Sequence, residues 1–105
     1  MDDLLADAAR RSAHYLRNLR DRGVSPTPEA LATLSGFFTP LQDDSMSPTE
    51  VLDELDRLGS PATVASAGER FFGFVIGGSL PAALASSYLA AAWDQNAGLE
   101  AIPFN

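Results

Sequence analysis

The stretch from Arg70 to Asn96 reads RFFGFVIGGSLPAALASSYLAAAWDQN and decides the fold prediction. Its first part, Phe71 to Ile76, is an apolar, partly β-branched run between glycines, which predicts an extended segment or a short strand. Leu80 or Pro81 then opens a long helix that we expect to reach about Asn96. Because its alanines lie on every side, this helix should be buried all round. Such a helix needs more cover than a short chain provides, which indicates a partner or further chain.

Three shorter helices are expected upstream of this stretch. The first is predicted over about 3–22, with acidic residues at its start and arginines at its end, as the helix dipole favours. Thr27 and Pro28 begin a short helix to about Ser35. Ser47-Pro48-Thr49-Glu50 is a capping box that starts a helix ended by Gly59. The fold is therefore predicted to be mainly α, with about four helices plus a short extended segment. The segments between them are predicted to be a loop with two apolar anchors, Phe37 and Phe38, over Phe37 to Met46, and a surface connector over Ser60 to Gly68.

Composition and charge exclude several classes of protein. The chain has 105 residues, enough for one small domain, and a net charge of −7. That charge disfavours nucleic acid and anionic membrane surfaces as partners. Without cysteine, and with a single histidine, no disulfide or metal site is expected. The acidic N-terminus does not resemble a signal peptide and no run spans a bilayer, so a cytoplasmic protein is expected.

Three pieces of the stretch 70–96 carry a family resemblance through their order and spacing. The pieces are Arg70-Phe71-Phe72-Gly73, the run GGSLPAALA at 77–85, and Trp93-Asp94-Gln95-Asn96. With these pieces the stretch resembles the N-terminal region of group II pyridoxal-phosphate (PLP)-dependent amino-acid decarboxylases, the family of the aromatic-amino-acid and glutamate enzymes. The likeness is strongest to bacterial members, and Thr27 to Gly68 resembles the same region less specifically.

The resemblance implies a fold and a division of the chain. Full-length relatives have an α/β fold type I PLP-dependent transferase-like fold, act on an amino-acid substrate and form homodimers. Residues 1–66 would be a helical dimerisation-type segment. Residues 67–105 would be a pocket-lining segment and long helix at the start of a catalytic domain.

The resemblance also implies site residues. Phe74, Val75, Ile76 and Gly77 would line the substrate pocket, and the aromatic ring of Phe74 favours an aromatic or apolar substrate. Many relatives carry His-Pro where this chain has Gly68-Glu69, so no role is transferred to that pair. From the residues themselves, Gly78 and Ser79 before a helix can present N–H groups to a phosphate, or form a plain loop with a serine cap.

The absence of lysine limits the chemistry of this chain. Its basic residues are seven arginines, and an arginine cannot form the aldimine that holds PLP. We therefore expect no catalytic residue here and no activity from the 105 residues alone. The prediction is the N-terminal part of a PLP-dependent carboxy-lyase, which stops before its catalytic body.

Two alternatives stay open. Asp44-Ser45-Met46 resembles the acyl-carrier signature, in which the serine at a helix start carries a phosphopantetheine arm. A stand-alone helical interaction module would also fit the pattern of amphipathic helices. His14, on the first helix among arginines, is expected to be a surface or interface residue.

Overall fold

The computed structural model describes residues 1–95, which hold four α-helices and no strand. This confirms the mainly helical prediction. The helices are α1 (Asp2–Arg17), α2 (Pro28–Ala32), α3 (Pro48–Gly59) and α4 (Pro81–Trp93), and short 3-10 turns cover Leu19–Asp21, Thr33–Phe37 and Ser60–Ala62.

The first helix is shorter than the predicted span of 3–22. It ends at Arg17, because Asn18 leaves the helical conformation and its side-chain amide donates to the backbone oxygen of His14 at 2.8 Å. The chain continues as the 3-10 turn Leu19–Asp21. His14 is exposed, as expected.

The second helix also ends earlier than predicted. It stops at Ala32 instead of Ser35, where Thr33 Oγ1 donates to the oxygen of Ala30 at 2.7 Å and a 3-10 turn follows. Phe37 belongs to this turn instead of the predicted loop. Phe38 is exposed and does not anchor the loop in the described structure, which corrects that expectation.

The third helix begins as the sequence predicted. Ser47 Oγ accepts from the backbone N–H of Glu50, and the Glu50 carboxylate accepts from the backbone N–H of Ser47, both at 3.1 Å. Pro48 occupies the first turn, where its missing N–H costs nothing. The reciprocal pair satisfies two donors that a helix start otherwise leaves to water.

Replacing Ser47 with alanine is expected to destabilise the fold by about 1 kcal/mol, because α3 loses its cap. The measurement is urea unfolding followed by circular dichroism. Ser45→Ala is the matched control: Ser45 is exposed in the preceding loop, so its loss should stay within about 0.5 kcal/mol. Equal losses in both variants would contradict the capping role.

The core of the described chain is very small. Three apolar residues between 1 and 95 are buried: Leu19, Leu58 and Ala65. Leu58 of α3 packs on Gly36, where an added Cβ would lie 2.9 Å from the leucine. The Ala65 N–H donates to the oxygen of Val24 at 2.8 Å. Ala65 falls in the predicted surface connector 60–68, so that prediction was wrong at this residue, and Gly68 of the same connector lies beside Leu19.

The last helix departs most from expectation. No described residue of α4 is buried, and Leu84 alone of those residues is half-buried. The prediction of all-round burial was therefore wrong for this chain, because the other helices are too few to surround α4. It ends at Trp93, where Asp94 takes a left-handed conformation with φ 51°. The predicted end at Asn96 lies outside the described residues, as does the part of segment 67–105 from 96 onward.

Candidate functional site

The segment predicted to be extended is a turn. The backbone N–H of Ile76 donates to the oxygen of Gly73 at 3.1 Å, which closes the turn. Phe74 and Val75, its central residues, have φ of 55° and 59°. The strand prediction for 71–76 was wrong, because left-handed backbone at two successive residues reverses the chain. β-Branched residues rarely adopt this conformation, so the turn is strained.

The turn presents apolar side chains to solvent. Phe74 is 92% exposed and Val75 fully exposed, and Phe72 before them is similarly open. Phe71 is half-buried and lies under Gly73, where an added Cβ would come within 2.9 Å of its ring. The structure therefore gathers the sequence-predicted pocket residues Phe74, Val75 and Ile76 on one exposed hairpin-like tip.

Gly77 lies at the base of this tip and has φ of 136°, a conformation available mainly to glycine. Gly78 and Ser79 follow it and face, with Gly77, a cleft of about 270 Å³. The residue that caps α4 is Leu80, whose side chain cannot accept a hydrogen bond, so the serine-cap alternative for Ser79 was wrong.

Two arginines flank the same cleft. Arg70 donates to the backbone oxygen of Arg20 at 3.2 Å and to that of Arg22. Arg20 in turn pairs with Glu69 at 3.4 Å. These bonds tie the start of the tip to the segment that follows α1, and the partners of Arg70 are backbone carbonyls instead of a carboxylate ligand.

A second cavity lies between the first and third helices and was not foreseen from the sequence. This open groove, hereafter the α1–α3 groove, has a volume of about 630 Å³ and a mainly apolar lining. The apolar stripes of α1 and α3 in the sequence indicated two surfaces that could pack together. A stripe does not show whether the side chains of the two helices fill the space between them or leave a groove. Its apolar walls include Ala8, Tyr15 and Leu16 of α1, Leu52 and Leu55 of α3, Val64, and Leu84 of α4.

An ion-pair cluster holds the two helices beside the groove. The Arg11 guanidinium of α1 bonds Asp56 at 2.9 Å and Asp53 at 3.3 Å, both on α3, and Asp7 of its own helix at 3.1 Å. The Ser60 hydroxyl donates to Asp56 at 2.5 Å. Hydrogen bonds from Arg11 hold the pKa of Asp7 below its usual value. The hydrogen bond from Ser60, and after it the one from Arg11, lowers the pKa of Asp56 as well.

Acid is expected to loosen α1 from α3. The pKa values of Asp7 and Asp56 are lowered by folding from 3.8, so the unfolded chain takes up protons first as the pH falls. Their stabilisation is complete above about pH 5 and is lost as the pH falls through the folded pKa values. Urea unfolding at about pH 7, 5 and 3 measures this. In Asp56→Asn, the midpoint of urea unfolding should change less between pH values than in the parent chain. A parent chain with the same unfolding midpoint at all three pH values would refute the expectation.

The residues of this chain do not fit covalent attachment of PLP. All seven basic residues are arginines, so no internal aldimine can form within it. No group of three potential metal-ligating side chains is found in the described part of the chain. Ser45 lies in the loop ahead of α3, and the helix start belongs to Ser47, unlike the position of a carrier serine.

Comparisons with known proteins add no relative. No protein-family model matches the chain, and no curated protein or solved structure matches it. Within residues 1–95, no helix is both long enough and apolar enough to traverse a bilayer. The decarboxylase resemblance therefore stays a prediction.

Proposed function

We propose that this chain is the N-terminal portion of a PLP-dependent amino-acid decarboxylase, a cytoplasmic homodimer, in which it forms dimer interface and substrate-pocket wall. The observation that carries the proposal is that the described part of the motif-bearing stretch 70–96 holds many exposed large apolar side chains. Both the tip at Phe74 and Val75 and the flanks of α4 lie there.

The exposure supports a buried role in a larger assembly. Large exposed apolar side chains that gather in one part of a chain often mark a surface that contacts another protein. A strained turn such as Phe74–Val75 persists where its surroundings fix it, and such strain is concentrated at binding and catalytic sites.

The chain's contribution to the reaction is binding. The side chains of Phe74, Val75 and Ile76 would contact an aromatic or apolar amino acid and exclude water from the reacting carbon. When bound, PLP supplies an electron sink for loss of the carboxylate. The lysine that carries it must lie outside these 105 residues.

The same exposed surface also favours a second candidate, a helical interaction module without chemistry. In that function the α1–α3 groove and α4 would be the binding elements. The decarboxylase candidate requires a catalytic domain with a PLP-binding lysine beside this segment. The interaction module requires neither.

The deciding experiment is to read the coding sequence beyond codon 105 and to assay the whole product with PLP. A continuation containing a PLP-binding lysine, with carbon dioxide released from amino acids, supports the decarboxylase. A product with neither lysine nor PLP-dependent release overturns it and leaves the interaction module.

A further inference from the structure

The cleft beside Gly77, hereafter the basal cleft, has an apolar floor made from the best-buried part of the described chain. The floor includes Leu19 and Ala65, two of the three buried apolar residues that the structure describes. Leu16 and Val24, both half-buried, add to it. Because buried side chains are held in place by close packing, this floor is a fixed apolar surface.

The rim of the basal cleft is positively charged although the chain as a whole is acidic. Two arginines, Arg20 and Arg70, and one carboxylate, Glu69, line the cleft, and all three side chains belong to exposed residues. The rim therefore has one positive charge in excess, in a chain of net charge −7. This local excess favours an anion over a cation as the ligand of the cleft.

Arg20 has guanidinium nitrogens left for such an anion. Among the described residues its guanidinium pairs with Glu69 through Nε, at 3.4 Å from the carboxylate oxygen. The terminal Nη1 and Nη2 groups of an arginine form a planar fork that matches a carboxylate with two parallel hydrogen bonds. Arg70 differs, since its Nη2 already donates to the backbone oxygens of Arg20 and Arg22. Arg20 therefore offers the fork, and Arg70 contributes charge.

The size of the basal cleft limits the ligand to a small molecule. Its volume of about 270 Å³ lies just below the roughly 300–1,000 Å³ of pockets that hold drug-sized ligands. Gly78 also lines the cleft, and a Cβ added there would meet nothing within 4 Å, so a ligand can approach the backbone closely. A short branched aliphatic chain therefore suits this space better than a nucleotide does.

We propose that the basal cleft binds a small aliphatic carboxylate, with the carboxylate on the Nη groups of Arg20 and the aliphatic chain on Leu19, Ala65 and Val24. Binding exchanges hydration for a charge-assisted pair and removes apolar surface from water. Because the side chain of Arg20 is 79% exposed, water screens the pair and the affinity is weak. Binding requires neither PLP nor a catalytic domain, so this proposal and the proposed function fail separately.

The test is a titration of the whole 105-residue chain with isocaproate, followed by proton–nitrogen correlation NMR. The amide signals of Leu19, Ala65 and Gly78 should shift and saturate. Isocaproamide keeps the chain and loses the charge, and acetate keeps the charge and loses the chain, so each should bind at least about fivefold more weakly. Absence of saturable shifts, or equal binding of isocaproate and either control, overturns the proposal. Shifts with inorganic phosphate but not with isocaproate also overturn it and assign the cleft to phosphate.

Matched variants locate the charge. Arg20→Gln should weaken isocaproate binding about fivefold and leave isocaproamide binding unchanged. Arg17→Gln removes the same charge from an exposed position at the end of α1, outside the cleft, and should change neither. Glu69→Gln should strengthen isocaproate binding, because it removes the carboxylate that competes for Arg20. A role limited to stability would not produce that opposite sign.

The exposed positions of these three residues favour variants that keep the fold, and circular dichroism checks this. Equal effects of Arg20→Gln and Arg17→Gln on isocaproate binding would overturn the assignment to Arg20. Weaker binding in Glu69→Gln would contradict the competition between the two carboxylates and overturn the site as proposed.

Discussion

Leu58→Ala is expected to reduce the free energy of unfolding by about 2–4 kcal/mol. Leu58 is 9% exposed and is one of three buried apolar residues in the described chain. Its side chain packs against Gly36, so truncation leaves a cavity between α3 and the 3-10 turn Thr33–Phe37. Because a small domain is only marginally stable, a loss of this size should leave little cooperative unfolding to be seen in urea.

Leu55→Ala is the matched control for that experiment. Leu55 lies one turn earlier on the same helix and is 58% exposed, so the same truncation removes much less buried surface. Its expected cost is below about 1 kcal/mol. Comparable losses at Leu55 and Leu58 would mean that the packing of α3 against Gly36 does not stabilise the chain.

Gly77→Ala is expected to cost about 1–3 kcal/mol and to change the conformation of the tip. The φ of 136° is unfavourable for alanine, and the added Cβ would lie 2.8 Å from the backbone oxygen of Phe71. The backbone must therefore rotate, which moves Phe74 and Val75 away from their present position. Urea unfolding measures the cost, and NMR chemical shifts of residues 71–79 report the movement.

Gly78→Ala separates this effect from a general loss of flexibility. Gly78 adjoins Gly77, but a Cβ there would meet nothing within 4 Å. The substitution should leave the chemical shifts of the tip almost unchanged. If both alanine variants disturbed the tip equally, the special conformation of Gly77 would not explain the turn.

Local sequence signals predicted the helix starts. Ser47 and Glu50 lie within one turn of each other, so their reciprocal bonds depend on nothing distant. The cap at Thr27 was predicted for the same reason and accepts from the N–H of Ala30 at 3.1 Å. The helix ends were less accurate, because Asn18 and Thr33 stop their helices through side-chain bonds that compete with continued helix.

The candidate site was predicted only as a set of neighbouring residues. The sequence placed Phe74 to Gly77 together, but it suggested a strand because apolar and β-branched residues usually favour one. The hydrogen bond between Ile76 and Gly73 and the contact of Phe71 with Gly73 produce a turn instead. The Arg11 cluster joins residues more than forty positions apart, and no local pattern indicates such a pairing.

By itself, the sequence determined that the chain is mainly helical, that α3 begins at a capping box, and that no lysine is present for an aldimine. These properties depend on residue identity and on contacts within one helical turn. The tertiary structure alone decided that Ala65 is buried, that α4 is open to solvent, and that an apolar groove separates α1 from α3. Burial depends on which distant surfaces meet, and that is set by the sum of many weak contacts instead of any single residue.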